Sequence, residues 1–510
     1  MPLGFRWKMG DYVGGQQAVH QAYKPWLALE FQDNDDSWAI GEYLVQPRDT
    51  SDIVISTGFR PTVLFLIGYR PQLANGGGDA AFGARGGGMT FGVAGHASVG
   101  PLWDVGETYN PGDIVKWEGK RYVATGISTG DEPPSANWSY LSIVEFTGSS
   151  RIRHAFEPKY SYWNEDCCYR VVHDFGATEI LKLNAEFNDT GFTLHVPVNL
   201  YDQTNFIAWL AMSGDFATGV LTTGDTNLPY DGNPRGAVFL STKHIFGETF
   251  RTSKWDHMQG FASIGGTQAA IWGGGRNDNW DWTTERWEDD RAIVLGSAAT
   301  GSFFAGATYD VGGQVTSWLN GLQLDWPVNG GQLYRVGYVI AGGASDPGIL
   351  ADTGILETNW ETRPGGAQND YPNGINFETS VIRPDVILMA ATNYNFSYSD
   401  TDPFDDPRAP GQFWKGGSGG LGWHAAPFSE SGYDAYGVHT FGNAVAELGR
   451  YANSGTQYMR RYILAGQGAN SQPPAYHQHS VNVIPSPRQP GLNWRYADRH
   501  LTSARLLHDE

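Results

Sequence analysis

Apolar and polar residues alternate in short runs of period two along most of the chain, and a helical spacing of apolar positions appears only near its end. The plainest runs are GFTLHVPV at 191–198 and GLQLDWPV at 321–328, where Phe192, Leu194 and Val196 answer Leu322, Leu324 and Trp326. Such alternation places the apolar side chains on one face of a half-buried strand. A second type of run is apolar throughout and opens near a proline: FRPTVLFLIGY at 59–69, NPRGAVFLSTKHI at 233–245 and IRPDVILMAATNY at 382–394. Proline fits the first residue of a strand, where no ladder donor is lost.

These runs recur in a fixed order. NEDCCYRVV at 164–172 resembles WEDDRAIVL at 287–295. NFIAWLAMSG at 205–214 is answered by YRVGYVIAGG at 334–343 and YMRRYILAGQG at 458–468, which puts Trp209, Tyr338 and Tyr462 in equivalent places. Self-similarity of this kind marks a repeated structural unit. The expected architecture is all-β, with three tandem β-sandwich-like units at 45–214, 215–343 and 344–468, the third lacking the Gly-to-Pro-Val strand. Glycine-rich stretches at 76–92, 265–280 and 413–423 suit wide loops between the opening and closing strands. Residues 1–44 read as an N-terminal attachment segment. Residues 469–510 read as a Pro-rich extended arm ending in a short amphipathic helix, with Trp494, Ala497, Leu501 and Ala504 at helical spacing.

Composition supports this picture. The chain has 67 Gly, 14% aromatic and only 17% charged residues, a mixture suited to short strands and glycine turns. Its formal net charge of -20 repels phosphate backbones and anionic lipids, which argues against a nucleic-acid partner. The two cysteines, Cys167 and Cys168, are adjacent and cannot staple distant segments, as expected of a chain made in a reducing cytosol. The start lacks the apolar run of a signal peptide and no stretch is long and apolar enough for a membrane helix, so neither conventional secretion nor membrane insertion is expected.

The first unit exceeds the second by a segment at 101–142, read as a small β module inserted in a surface loop. Its pattern of Trp103, Tyr109, Gly112, Asp113, Val115, Trp117, Gly119, Tyr122, Ala124, Pro133 and Trp138 resembles the chitin-binding modules of carbohydrate-binding families five and twelve. Val115, Trp117, Tyr122 and Ala124 read as the module's own small core. The paired aromatics that form the sugar platform in those families fall on Gly126 and Ile127 here. Trp103, Tyr109, Trp138 and Tyr140 remain as candidate carbohydrate-binding residues. The module together with the β units resembles virion structural proteins of tailed bacteriophages, of the tail-fibre or baseplate-associated kind. That resemblance implies a non-enzymatic role in the virion after synthesis in the host bacterial cytoplasm. It also implies other virion proteins and further copies of the chain as partners, adhesion to host-surface glycans, and no required cofactor. The rival expectations are a tail-associated polysaccharide-degrading enzyme and a head-decoration or purely architectural protein.

Other motifs carry less. GGSGG around Ser418 matches a nucleophile elbow in letters but sits in a glycine loop rather than between a strand and a helix. Glu288, Asp289 and Asp290 could supply the carboxylate pair of a glycosidase, yet Glu165 and Asp166 recur at the same repeat position, which favours a structural turn. FQDNDDS at 31–37 and DTDPFDD at 400–406 hold clustered oxygen ligands without the EF-hand spacing. His477 and His479 form an HxH pair whose imidazoles share one strand face, and three such pairs around a trimer axis would offer six nitrogens to a transition metal.

Overall fold

The computed structural model describes residues 20–32, 38–69, 87–99, 103–117, 120–152, 160–173, 178–200, 205–244, 250–252, 254–265, 267–276, 284–288, 290–297, 308–319, 321–343, 348–360, 375–378, 386–389, 392–394, 436–441, 444–449 and 478–484. Every regular element among them is a β-strand. They form three large sheets of eight, seven and six strands, two four-stranded sheets, and two small sheets that belong to the inserted module.

In the first large sheet the order is Trp38–Val45, Asn205–Met212, Val63–Tyr69, Gly87–His96, Ile143–Ile152, Tyr160–Asn164, with Phe250–Thr252 at the edge. The second runs Phe216–Thr222, Arg335–Gly343, Asn233–Ser241, Lys254–Ser263, Gln268–Arg276, Thr284–Glu288. Each has a four-stranded partner: Tyr169–His173, Thr178–Asn188, Gly191–Asn199 and Ile53–Ser56 for the first, Ile293–Ser297, Thr308–Ser317, Leu322–Asn329 and Asn227–Leu228 for the second. Setting aside Phe250–Thr252, the two sheet pairs have the same strand order relative to chain order. The runs GFTLHVPV and GLQLDWPV hold equivalent places, each central in its smaller sheet.

The uninterrupted apolar runs are explained by burial on both faces. In the first large sheet Val63 and Phe65 face a core shared with the other large sheets, while Leu64 and Leu66 face the four-stranded partner. Val238 and Leu240 against Ala237 and Phe239 repeat this in the second. With a side-chain period of two, a strand covered on both sides has no position left for a polar residue. The sheets approach closely at Gly92 and Gly260. A Cβ there would fall 1.5 Å from the Cys168 carbonyl oxygen and 1.8 Å from that of Ala292, so only glycine fits.

The shared core also takes Leu27, Leu29, Ile349, Ala351, Val386 and Leu388 from the third large sheet. That sheet runs Ile349–Trp360, His20–Phe31, Val386–Met389, Tyr436–Phe441, Ala444–Gly449, Gln478–Ile484, Ile375–Glu378, with Thr392–Tyr394 also pairing His20–Phe31. The segment before residue 45, expected as an attachment element, therefore supplies the interior strand His20–Phe31 of the third sheet and the edge strand Trp38–Val45 of the first. The expected closing run of the third unit, 458–468, lies outside the described residues, as does the arm with its helix expected at 469–510, apart from Gln478–Ile484, which is a strand of the third large sheet.

Candidate functional site

The inserted module begins and ends at one point of the first sheet. Its flanking strands Gly87–His96 and Ile143–Ile152 pair antiparallel with Ile143 opposite His96, so residues 97–142 form a closed excursion from adjacent strand ends. The hairpin Ile114–Trp117 with Lys120–Ala124 carries Trp138–Tyr140 on its other edge, and Thr108–Tyr109 pairs Ser128–Thr129 beside it. Alternation turns Val115, Tyr122 and Ala124 inward, where they meet Tyr109 and Trp138, with Trp103 and Trp117 packed against them.

The four aromatic residues proposed for sugar stacking do not form one surface. Tyr109 and Trp138 are 8% and 6% exposed and meet edge to face at 5.2 Å. Their polar tips are satisfied inside the module: the Asp104 amide donates to the Tyr109 hydroxyl at 2.7 Å, and Trp138 Nε1 donates to the Asp131 carbonyl at 2.9 Å. Trp103 is half-buried, edge-on to Trp117 at 5.0 Å. Tyr140, 42% exposed, is edge-on to Tyr122 at 6.1 Å and reaches the host unit. Its hydroxyl accepts from Arg60 Nη2, and the Arg60 guanidinium sits 5.0 Å over its ring. The physical reason is size, since a module of this length has little else with which to fill its core.

What the sequence did not announce is the charged boundary between module and host. The only basic residues of the described module, Lys116, Lys120 and Arg121, all pair with host carboxylates. Arg121, with no side-chain exposure, reaches Asp215 at 3.1 Å and Lys116 reaches the same carboxylate oxygen at 3.2 Å. Arg121 also donates to the Gly214 carbonyl at 3.4 Å. Lys120 and Arg60 share Asp189 at 3.0 and 3.1 Å, and these two cations hold its carboxyl below the usual carboxylate range, Lys120 contributing most. At the centre lies His96, fully buried, with Nε2 3.4 Å from the Tyr140 hydroxyl and its ring edge-on to Tyr140 and Phe187. Burial foremost, then the positive charges of Arg121 and Arg60, push its pKa down to about 3, so the imidazole is neutral. The sequence signal was the gathering of all the module's basic residues in one hairpin, whose partners 60 to 100 residues away no local pattern could name.

The remaining candidates fall into place as follows. Glu165 accepts from Trp163 Nε1 at 2.9 Å and pairs with Arg335 of the second sheet at 3.0 Å, while Asp166 pairs with Lys182 at 3.0 Å. Of the second cluster, Asp290 is exposed beside Arg291, Glu288 ends its strand, and Asp289 lies outside the described residues. Cys167 and Cys168 are buried free thiols whose sulfurs donate to Asn164 Oδ1 and the Leu183 carbonyl at 3.3 Å, and burial pushes both thiols up, so they stay protonated. His479 lies in Gln478–Ile484 opposite Glu447, while His477, Ser418, residues 33–37 and 400–406 are outside the described residues. Among the described residues no three His, Cys, Asp or Glu side chains are grouped to hold a metal, and no helix is long and apolar enough to cross a membrane. In comparisons with known proteins, the chain matches no family model and no curated protein.

Proposed function

We propose that the chain is a non-enzymatic structural protein of a tailed-phage particle, associated with the tail, fibre or baseplate, and built from three related β units with an integrated carbohydrate-binding-type module. The observation that carries this reading is the continuous β body. Three large sheets share one core, and the module is fixed to that body by buried ion pairs rather than hung on a linker. Such a body resists relative movement of its parts, which suits a component that transmits or bears load between other virion proteins and further copies of itself. Antibody labelling of intact particles tests it. Label on the tail or baseplate is expected, label on the head favours the decoration role instead, and absence of the chain from purified particles sinks the proposal.

Adhesion to host glycans, in this reading, falls to the module's rim and not to a platform of four aromatics. What supports it is the half-buried Trp103 and Trp117 pair, whose rings are the module's large aromatic surfaces neither fully enclosed nor covered by Arg60. A glycan array with the full chain and its Trp103→Ala variant reads this directly. Binding lost in the variant supports the rim, binding unchanged moves the site elsewhere, and released sugar product would favour the enzyme reading through Glu288 or Asp289.

A further inference from the structure

We infer that the slot between Ile349–Trp360 and Val386–Met389 is a strand-accepting site, and that residues 20–31 of the same chain are its separable occupant, a clasp by which the beginning of the chain completes its last sheet. The comparison among sheets carries the argument. In the first large sheet the equivalent slot, between Trp38–Val45 and Val63–Tyr69, is filled by Asn205–Met212, and in the second, between Phe216–Thr222 and Asn233–Ser241, by Arg335–Gly343. Both come from the same stretch of chain as their neighbours. In the third the slot is filled by His20–Phe31, more than 300 residues from the strands on either side.

The side chains agree with the backbone. Leu27 and Leu29 enter the shared core as Leu210 and Met212 do from the first sheet, and Val339 and Ala341 from the second. On one side the incoming strand pairs over its full length with Ile349–Trp360, from His20 opposite Trp360 to Phe31 opposite Ile349. On the other it pairs with Val386–Met389 through Trp26 to Leu29 and with Thr392–Tyr394 through Gln21 to Tyr23. A slip of one residue would turn Leu27 and Leu29 out of the core, so the slot reads both ladder and register.

Occupancy decides whether the third sheet exists as one piece. Among the described strands, Ile349–Trp360 has His20–Phe31 as its only ladder neighbour. Without that strand, Ile349–Trp360 stays packed on the second unit and Val386–Met389 loses its connection to it.

Two experiments on the full chain test this. Glu30 and Leu350 are direct partners and both half-buried, so Glu30→Cys with Leu350→Cys should form a disulfide within the monomer on mild oxidation, absent from either single variant. No disulfide overturns the proposal, and a disulfide-linked dimer shows that the occupant belongs to a second copy and overturns the intrachain assignment. In the second, a protease site is inserted between residues 32 and 38, the purified chain is cut there, and the freed N-terminal fragment is stripped by mild denaturant. A biotinylated peptide of residues 20–31 should then be captured at least tenfold better than one carrying Leu27→Glu and Leu29→Glu. Equal capture of the two peptides, or none of either, refutes a register-reading slot.

Discussion

Asp215→Ala should release the inserted module from its host. The substitution removes the carboxylate that receives both Arg121 and Lys116, at 3.1 and 3.2 Å. Arg121 is wholly buried and Asp215 is 12% exposed, so little solvent screens the pair. Removing one partner of a buried ion pair costs about 3–5 kcal/mol, because the remaining charge stays desolvated. The Gly214 carbonyl, 3.4 Å from Arg121, offers partial compensation and places the expected loss near the lower bound, about 3 kcal/mol. Lys116→Met is the matched control. It removes the more exposed cation and leaves Asp215 paired with Arg121, so its cost should stay below about 1 kcal/mol. Hydrogen exchange by mass spectrometry reads the difference locally, which matters in a protein of several cores whose global unfolding is not one transition. Peptides spanning 114–124 should exchange about a hundredfold faster in Asp215→Ala, since each 1.4 kcal/mol is a factor of ten, while the sandwich strands of the second unit stay protected. If exchange in 114–124 rises less than threefold, or Lys116→Met matches Asp215→Ala, the buried pair is not what holds the module.

Three further outcomes are expected. His96 has its folded pKa depressed from 6.5 to about 3, so the unfolded chain takes up a proton that the folded one refuses. His96's contribution to stability is therefore whole above pH 6.5 and falls toward pH 3 by at most roughly 1.4 kcal/mol per pH unit, and acid-dependent exposure of the module to limited proteolysis between pH 6.5 and pH 5 should be weaker in a folded His96→Gln variant. His195 has the opposite sign: Glu186 first and Asp52 next raise its pKa, so its contribution is full below 6.5 and lost as pH rises through the raised value. The protection of Ile53–Ser56, which pairs with the strand carrying His195, measured relative to the intrinsic exchange rate at each pH, should fall from pH 6 to pH 8, and His195→Gln should flatten that fall. Gly92→Ala and Gly260→Ala should each cost about 3 kcal/mol or more, above the usual overpacking range because the obstacle is a backbone carbonyl. A melting temperature unchanged by either would mean that the sheets can part there without penalty.

The strands at Val63–Tyr69, Asn233–Ser241, Gly191–Asn199 and Leu322–Asn329 were legible from local pattern, since period-two alternation and doubly buried apolar runs are properties of a strand and its immediate surroundings. So was the small core of the module, where Val115, Tyr122 and Ala124 converge as their spacing requires. The candidate sugar residues were legible only as aromatics. Whether a ring stacks outward or packs inward depends on how much other apolar volume the module has, and for Tyr109 and Trp138 the answer was inward.

By itself, then, the sequence determined the all-β class and the positions of individual strands such as Val63–Tyr69 and Gly191–Asn199, because each rests on neighbours within a few residues. Only the tertiary structure decided that Arg121 would be buried against Asp215, that His96 would be held neutral beneath Tyr140, and that His20–Phe31 would lie within the last large sheet. These pairings join residues tens to hundreds of positions apart. A charge or a strand carries no local mark of its partner, and the choice among partners is made by the free energy of burying them together.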